Sequence, residues 1–176
     1  MTLKHGWNVL VQDESIFMHD SAMARKRRWI LKEKRPVVTV TGSHSKTIVF
    51  GMLSLDGKQL FRQYERFDSH SFIAYLEEAR KKFRKFIMIV DRATQHRSRM
   101  VKEYLQRNLE TTRIEYFPVG LPLLNAVEEC WRQGKYNILS KNYYSGLSHI
   151  KQAISSYYRT RRFKLDIKKY LFRSTN

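Results

Sequence analysis

The 176-residue sequence is poor in the features that define several protein classes. It has one cysteine, Cys130, which excludes an internal disulfide framework and a cysteine-built zinc site. With three prolines and seven glycines it holds no flexible linker, and it shows no internal repeat or low-complexity stretch. No run approaches about 18 uncharged apolar residues, so a membrane-spanning helix is excluded. The opening residues, Met1-Thr-Leu-Lys-His-Gly-Trp-Asn8, lack the basic-then-apolar shape of a secretion signal. A reducing, cytoplasmic setting is expected. Acids are scarce as well: 16 Asp and Glu stand against 34 Lys and Arg, for a net charge of +18.

That charge implies a polyanionic partner, with nucleic acid the default. An anionic membrane surface is the competitor, but no basic helix has the clean apolar face it would need. The basic residues cluster in three places: Arg25-Lys-Arg-Arg28 continuing to Lys32, Lys34 and Arg35; Arg80 to Lys85; and the C-terminal segment from Arg159 to Arg173. Aromatic residues lie among them (Trp29, Phe83, Tyr157, Tyr158, Phe163, Tyr170), as on nucleic-acid surfaces. Hydrophobic residues make up 42%, enough for a core in a chain of one domain's length.

The hydrophobic pattern alternates in kind. Trp7 to Gln12 is short and apolar and reads as a buried strand. Val37 to Thr41, after Pro36, reads as a short strand or extended arm. Lys46 to Leu55 reads as a strand that turns at Asp56-Gly57 into Gln59 to Tyr64. Asp68-Ser-His-Ser71 offers helix caps before a helix from Phe72. Phe86 to Val90 is a continuous apolar run, the signature of a central strand covered on both faces. Arg97 to Asn108 reads as a helix, Arg113 to Phe117 as a strand, and Asn125 to Leu139 and Ser145 to Phe163 as two more helices. An early hairpin followed by strand–helix–strand units predicts an α/β fold: a mixed sheet with early antiparallel strands and flanking helices.

Two acids follow apolar strands. Asp13 ends the run from Trp7, and Asp91 ends Phe86 to Val90. Sites in open α/β sheets gather at the carboxyl ends of strands. A third acid comes from a helix: Leu124, Val127, Glu128 and Trp131 share one face at helical spacing, which puts Glu128 in a sheet-facing stripe and turns Glu129 about 100° away. Three carboxylates on a basic chain suit Mg²⁺ or Mn²⁺, which take oxygen ligands and substrate phosphates. Two such ions activate a water or a 3′-hydroxyl for in-line phosphoryl displacement.

The motifs Gln12-Asp13-Glu14-Ser15, Val90-Asp91-Arg-Ala-Thr-Gln-His96 and Tyr116-Phe-Pro-Val-Gly-Leu-Pro-Leu-Leu-Asn-Ala-Val-Glu128-Glu-Cys-Trp131 resemble the DDE transposases of mariner-like insertion sequences. The gap of 36 residues between Asp91 and Glu128 lies within the family's range. The resemblance spans residues from about 7 to 140. It implies an RNase H-like catalytic domain with Asp13, Asp91 and Glu128 as the metal-binding catalytic triad. It also implies two Mg²⁺ or Mn²⁺ ions, transposon ends and target DNA as partners, a homodimer, and a prokaryotic, nucleoid-associated setting. No small-molecule cofactor is expected. His96 matches the family's histidine. Two positions depart: Arg92 replaces the usual Asn, and Ala126 the usual Pro.

These transposases carry N-terminal helix-turn-helix domains, for which the sequence leaves no room before Trp7. The expectation is a catalytic domain alone, one product of a split reading frame, or a decayed remnant. Two rivals follow. A non-catalytic DNA-binding remnant or regulator would keep the fold and the basic surface. A structure-specific nuclease of the same fold would share the acids, although the Leu-Asn-x-x-Glu motif argues against it. The C-terminal basic segment reads equally as a DNA arm or an interface element.

Overall fold

The structure, a computed structural model, describes residues 6–19, 41–120, 124–140 and 142–172. Five strands form one mixed sheet in the order β3-β2-β1-β4-β5. They are β1 (Asn8–Met18), β2 (Lys46–Ser54), β3 (Gln59–Tyr64), β4 (Phe86–Val90) and β5 (Thr112–Tyr116). β1, β2 and β3 pair antiparallel, and β4 and β5 add in parallel on the other side of β1. The expected α/β fold is the one observed. The Val37–Thr41 strand and the Arg25–Arg35 basic run fall outside the described residues, apart from Thr41, which has no regular structure.

The helices are α1 (Ser69–Phe83), α2 (Arg99–Arg107), α3 (Val127–Ile138), α4 (Leu147–Thr160) and α5 (Ile167–Leu171), with a 3-10 turn at Thr94–Arg97. Asp68 caps α1 by accepting from the Ser71 amide at 2.8 Å, as the cap residues predicted. The missed α5 is short, with Ile167 buried and Tyr170 and Leu171 only partly so, too little periodicity to read in a basic segment.

Strand alternation divides the core into two layers. One face carries Leu10, Phe50 and Met52 against Phe72, Tyr75 and Leu76 of α1 and Val101 and Tyr104 of α2. The other carries Val11, Phe17 and Val49 against Val127, Cys130 and Trp131 of α3 and Ile150, Ile154 and Tyr158 of α4. Each large side chain so buried contributes roughly 1.5–3 kcal/mol.

Two expectations are corrected. Asp13 lies in the middle of β1, not at its end. β1 runs on to Met18 because β2 pairs with it that far, while its pairing with β4 stops at Val11↔Ile89. Asp13 therefore sits just past the end of the parallel ladder, and continuing that register brings it alongside Asp91. The second correction concerns α3. Its buried stripe is Val127, Cys130, Trp131, Gly134 and Ile138, and Glu128 is exposed beside it. The helix is rotated so that Cys130, rather than Glu128, meets the core.

Candidate active site

Asp13, Asp91 and Glu128 line one cleft of about 280 Å³ with Arg92, Asn125 and the Phe117–Gly120 loop. Three segments far apart in sequence thus meet at the end of the β1–β4 ladder. Each acid is held differently.

Asp13 points to the α3 face of the sheet. The indole Nε1–H of Trp131 donates to its Oδ2 at 2.8 Å. Burial, reinforced by the negative charge of Glu128, pushes the Asp13 carboxyl up to about 7, against the lowering effect of that bond. Two like charges share the cleft, and no cation among the described residues is paired with either.

Asp91 is half exposed, and its Oδ1 lies 2.9 Å from Nδ1 of His96. The same oxygen accepts from the Ala93 amide at 2.9 Å. The His96 bond holds Asp91 below the usual carboxylate range despite partial burial. His96 itself is fully buried against Phe67 and Phe72. Its Nε2 lies 3.1 Å from Oε1 of Glu14. Burial opposes its charge, yet the bonds to Asp91 and Glu14 raise its pKa to about 9. The imidazolium thus bridges two carboxylates.

Adjacent residues of a strand face opposite ways, so Asp13 and Glu14 serve opposite layers. Asp13 meets α3, and Glu14 reaches under α1 to His96. Gln12, on the Glu14 face, donates from Nε2 to Glu14 Oε1 at 2.7 Å.

Glu128 follows an anchor. Asn125 donates from Nδ2 to the Gln12 carbonyl at 2.9 Å, and its Oδ1 accepts from the Val127 amide at 3.1 Å. That pair of bonds ties the start of α3 to β1 one residue from Asp13. The exposed Glu128 then sits in the first turn of α3 over the cleft.

Arg92, the departure from the family pattern, is not paired with any of the three acids. Its Nε donates to the Phe117 carbonyl at 3.4 Å, and its guanidinium lies over the Tyr116 ring at 5.8 Å. Trp131 is core, as its spacing suggested, with the added bond to Asp13. The roles of Glu14 and Asn125 escaped the sequence reading, although both residues stand inside the motifs that were read. Among the described residues no group of three or more His, Cys, Asp or Glu stands close enough to hold a metal ion unaided. Among them also, no helix is long and apolar enough to cross a membrane.

Comparison with known proteins adds the family. A family model described as DDE superfamily endonuclease matches residues 8–151. No curated protein matches the chain in sequence. Among solved structures, a Mos1 transposase paired-end complex with the left transposon end is similar at TM-score 0.70 and 14% identity, covering 96% of this chain and 54% of that one. A Mos1 strand transfer complex matches at TM-score 0.65 and 13% identity, covering 93% and 49%. A Mos1 transposase catalytic domain with Raltegravir and Mg matches at TM-score 0.60 and 12% identity, covering 93% and 78%. The chain spans about half the length of the first two. At these identities the likeness is one of fold, and the shared fold is RNase H-like.

Proposed function

The chain belongs to the DDE superfamily endonucleases, and from that premise we propose that it is a transposase catalytic domain that cleaves DNA and joins the freed strand to target DNA. Asp13, Asp91 and Glu128 are its catalytic acids. The observation that carries this reading is that these three carboxylates, from three separate motifs, line one cleft.

The donor set fits a hard divalent cation such as Mg²⁺ or Mn²⁺. All three side chains offer carboxylate oxygen, and no histidine or cysteine lines the cleft. The raised pKa of Asp13 beside Glu128 marks negative charge that a cation would offset. Asp13 and Asp91 would hold one ion and Glu128 would help hold a second. Ions held there would lower the pKa of an attacking water or 3′-hydroxyl and offset charge on the leaving oxygen.

The chain's own residues prepare the site. Trp131 fixes one Asp13 oxygen, and His96 with the Ala93 amide fixes one Asp91 oxygen, so a single orientation of each acid faces the cleft. Asn125 sets where Glu128 enters. Such pre-positioning removes reorganisation from the reaction step. A homodimer acting on paired transposon ends completes the proposal.

The test is Mn²⁺-dependent nicking of DNA by the chain and by Asp91→Ala. Loss of nicking with an unchanged melting curve supports the reading. Full activity in Asp91→Ala overturns it. DNA binding indifferent to divalent metal, with no nicking in either protein, favours a non-catalytic DNA-binding role.

A further inference from the structure

β3 is the outermost strand on one side of the sheet. The β2–β3 turn, the C-terminal end of α1 and the end of α4 stand around its free edge and enclose a groove of about 790 Å³. Six cations line it: Lys58, Arg62, Lys81, Lys82, Arg159 and Arg162. Glu78 is its one carboxylate. That carboxylate is already shared by Arg62 at 3.3 Å and Lys81 at 2.9 Å. Lys58 pairs with Asp56 at the turn. Among the described residues, Lys82, Arg159 and Arg162 have no carboxylate partner. Lys82 Nζ donates to the Gln59 carbonyl, and Arg162 Nη1 to the Arg159 carbonyl. Partial burial and the charges of Arg62, Arg162 and Lys58 hold the Lys82 ammonium below its ordinary pKa, a sign of like charges crowded together. Folding gains nothing from that crowding, whereas a bound polyanion relieves it.

We propose that this groove is a track for the phosphate backbone of duplex DNA, separate from the acid cleft, with the start of the basic C-terminal segment as one wall. The dimensions suit it. From Gln59 to Gln63 the strand edge runs roughly 13 Å at about 3.3 Å per residue. That length covers about two intervals between neighbouring phosphates of one strand, because about 3.4 Å is the rise along the helix axis and neighbours on the winding backbone stand roughly twice that apart. A small anion would use only two or three of the cations, while a row of phosphates uses the row. A protein partner needs an exposed apolar anchor, and the apolar floor residues Leu60, Ile154 and Tyr158 are already buried.

The groove and the acid cleft share no lining residue. The register aligns Asp13 with Gly51, and Gly51 with Phe61 of β3, so two strand spacings of about 4.8 Å separate the track from the acid. The start of the basic C-terminal segment, Arg159 and Arg162, thereby gains a role beside the cleft.

The experiment measures binding of a plain duplex of about 30 base pairs across a range of salt, which requires no cleavage. Two double variants, Arg159→Gln/Arg162→Gln and Lys81→Gln/Lys82→Gln, remove cations from different elements. A control, Lys102→Gln/Arg107→Gln, removes the same charge from α2. Each groove pair is expected to flatten the log–log salt dependence by about 1.8, at about 0.9 per phosphate contact, and to weaken binding several-fold. The α2 pair is expected to change both far less. Thermal melting of each variant reports its fold. Equal effects in all three pairs would mean a diffuse field and overturn the track, as would unchanged binding in both groove pairs. Groove-dependent binding without Mn²⁺-dependent nicking would sink the cleavage reading alone.

Discussion

Trp131 gives its indole N–H to Asp13 across the α3–sheet interface at 2.8 Å. Trp131 stands one turn after Glu128 on the same helix, so α3 both presents one acid and aims another. Trp131→Phe removes the donor and trims the far edge of the ring that packs against Gly51, while keeping an aromatic ring in the layer. It should cost about 1–3 kcal/mol in urea unfolding, the usual cost of orphaning a partly buried acceptor. Nicking should fall and demand more Mn²⁺, since Asp13 then samples several orientations. Trp131→Ala should cost about 3–5 kcal/mol by opening a cavity. Equal activity in Trp131→Phe and the unaltered protein would show that the bond aims nothing.

Gly51 makes room for that tryptophan. It lies opposite Asp13 in the β1–β2 register. A Cβ there would stand 2.5 Å from the far edge of the Trp131 ring and 2.6 Å from Phe61. Both neighbours are ring atoms in a packed layer, so neither can swing aside cheaply. Gly51→Ala should therefore lower stability by about 1–3 kcal/mol through overpacking. It should also impair nicking by displacing the indole from Asp13. A melting temperature equal to that of the unaltered chain would contradict this account.

Much of this site was legible in the sequence, for reasons that differ between residues. Asp91 was readable because Phe86–Val90 is an unbroken apolar run and the acid marks where that run stops, although Ile87 and Ile89 are only partly buried. Asp68 was readable because capping is local chemistry. Asp13 was identified as a site residue but misplaced along its strand. The extent of β1 depends on how far β2 accompanies it, and Ser15 and Ile16 carry no apolar alternation to announce that. Glu128 was given the wrong face, because a helical wheel fixes angles between side chains but not the rotation of the wheel against a sheet. Gly51 and the Glu14–His96 pair depend on contacts between segments about 80 residues apart, which no local pattern encodes.

The Glu14–His96 pair is itself testable. Both side chains are nearly inaccessible, at 6% and 1% exposure. Removing one partner of a buried pair leaves an uncompensated charge and typically costs 3–5 kcal/mol. His96→Ala should show a loss of that size in urea unfolding. Adding Glu14→Gln should recover part of it, because a neutral amide at that position leaves no buried charge behind. The double-mutant cycle reads the coupling directly. Additive losses from the two single changes would mean that the bridge carries no energy of its own.

The acid cleft should store instability in the metal-free protein. Asp13 has a folded pKa of about 7, above the ordinary aspartate value of 3.8. A raised carboxyl costs stability at pH values above it, and that cost fades as pH falls from 7 toward 3.8. Asp13→Asn removes the charge and keeps an oxygen for the Trp131 donor. It should therefore raise the metal-free unfolding free energy at pH 8, by an amount on the order of a few kcal/mol at about 1.4 kcal/mol per pK unit. Mn²⁺ should act unequally on the two proteins. In the unaltered chain it stabilises the folded state by mass action, about 2.7 kcal/mol at a hundredfold excess over Kd. In Asp13→Asn that gain should shrink or vanish. A variant that is more stable without metal and insensitive to it would identify Asp13 as a residue kept for ion binding rather than for folding. A variant that is less stable without metal would show that Asp13 contributes to the fold, and the cleft would lose its central acid as a metal ligand.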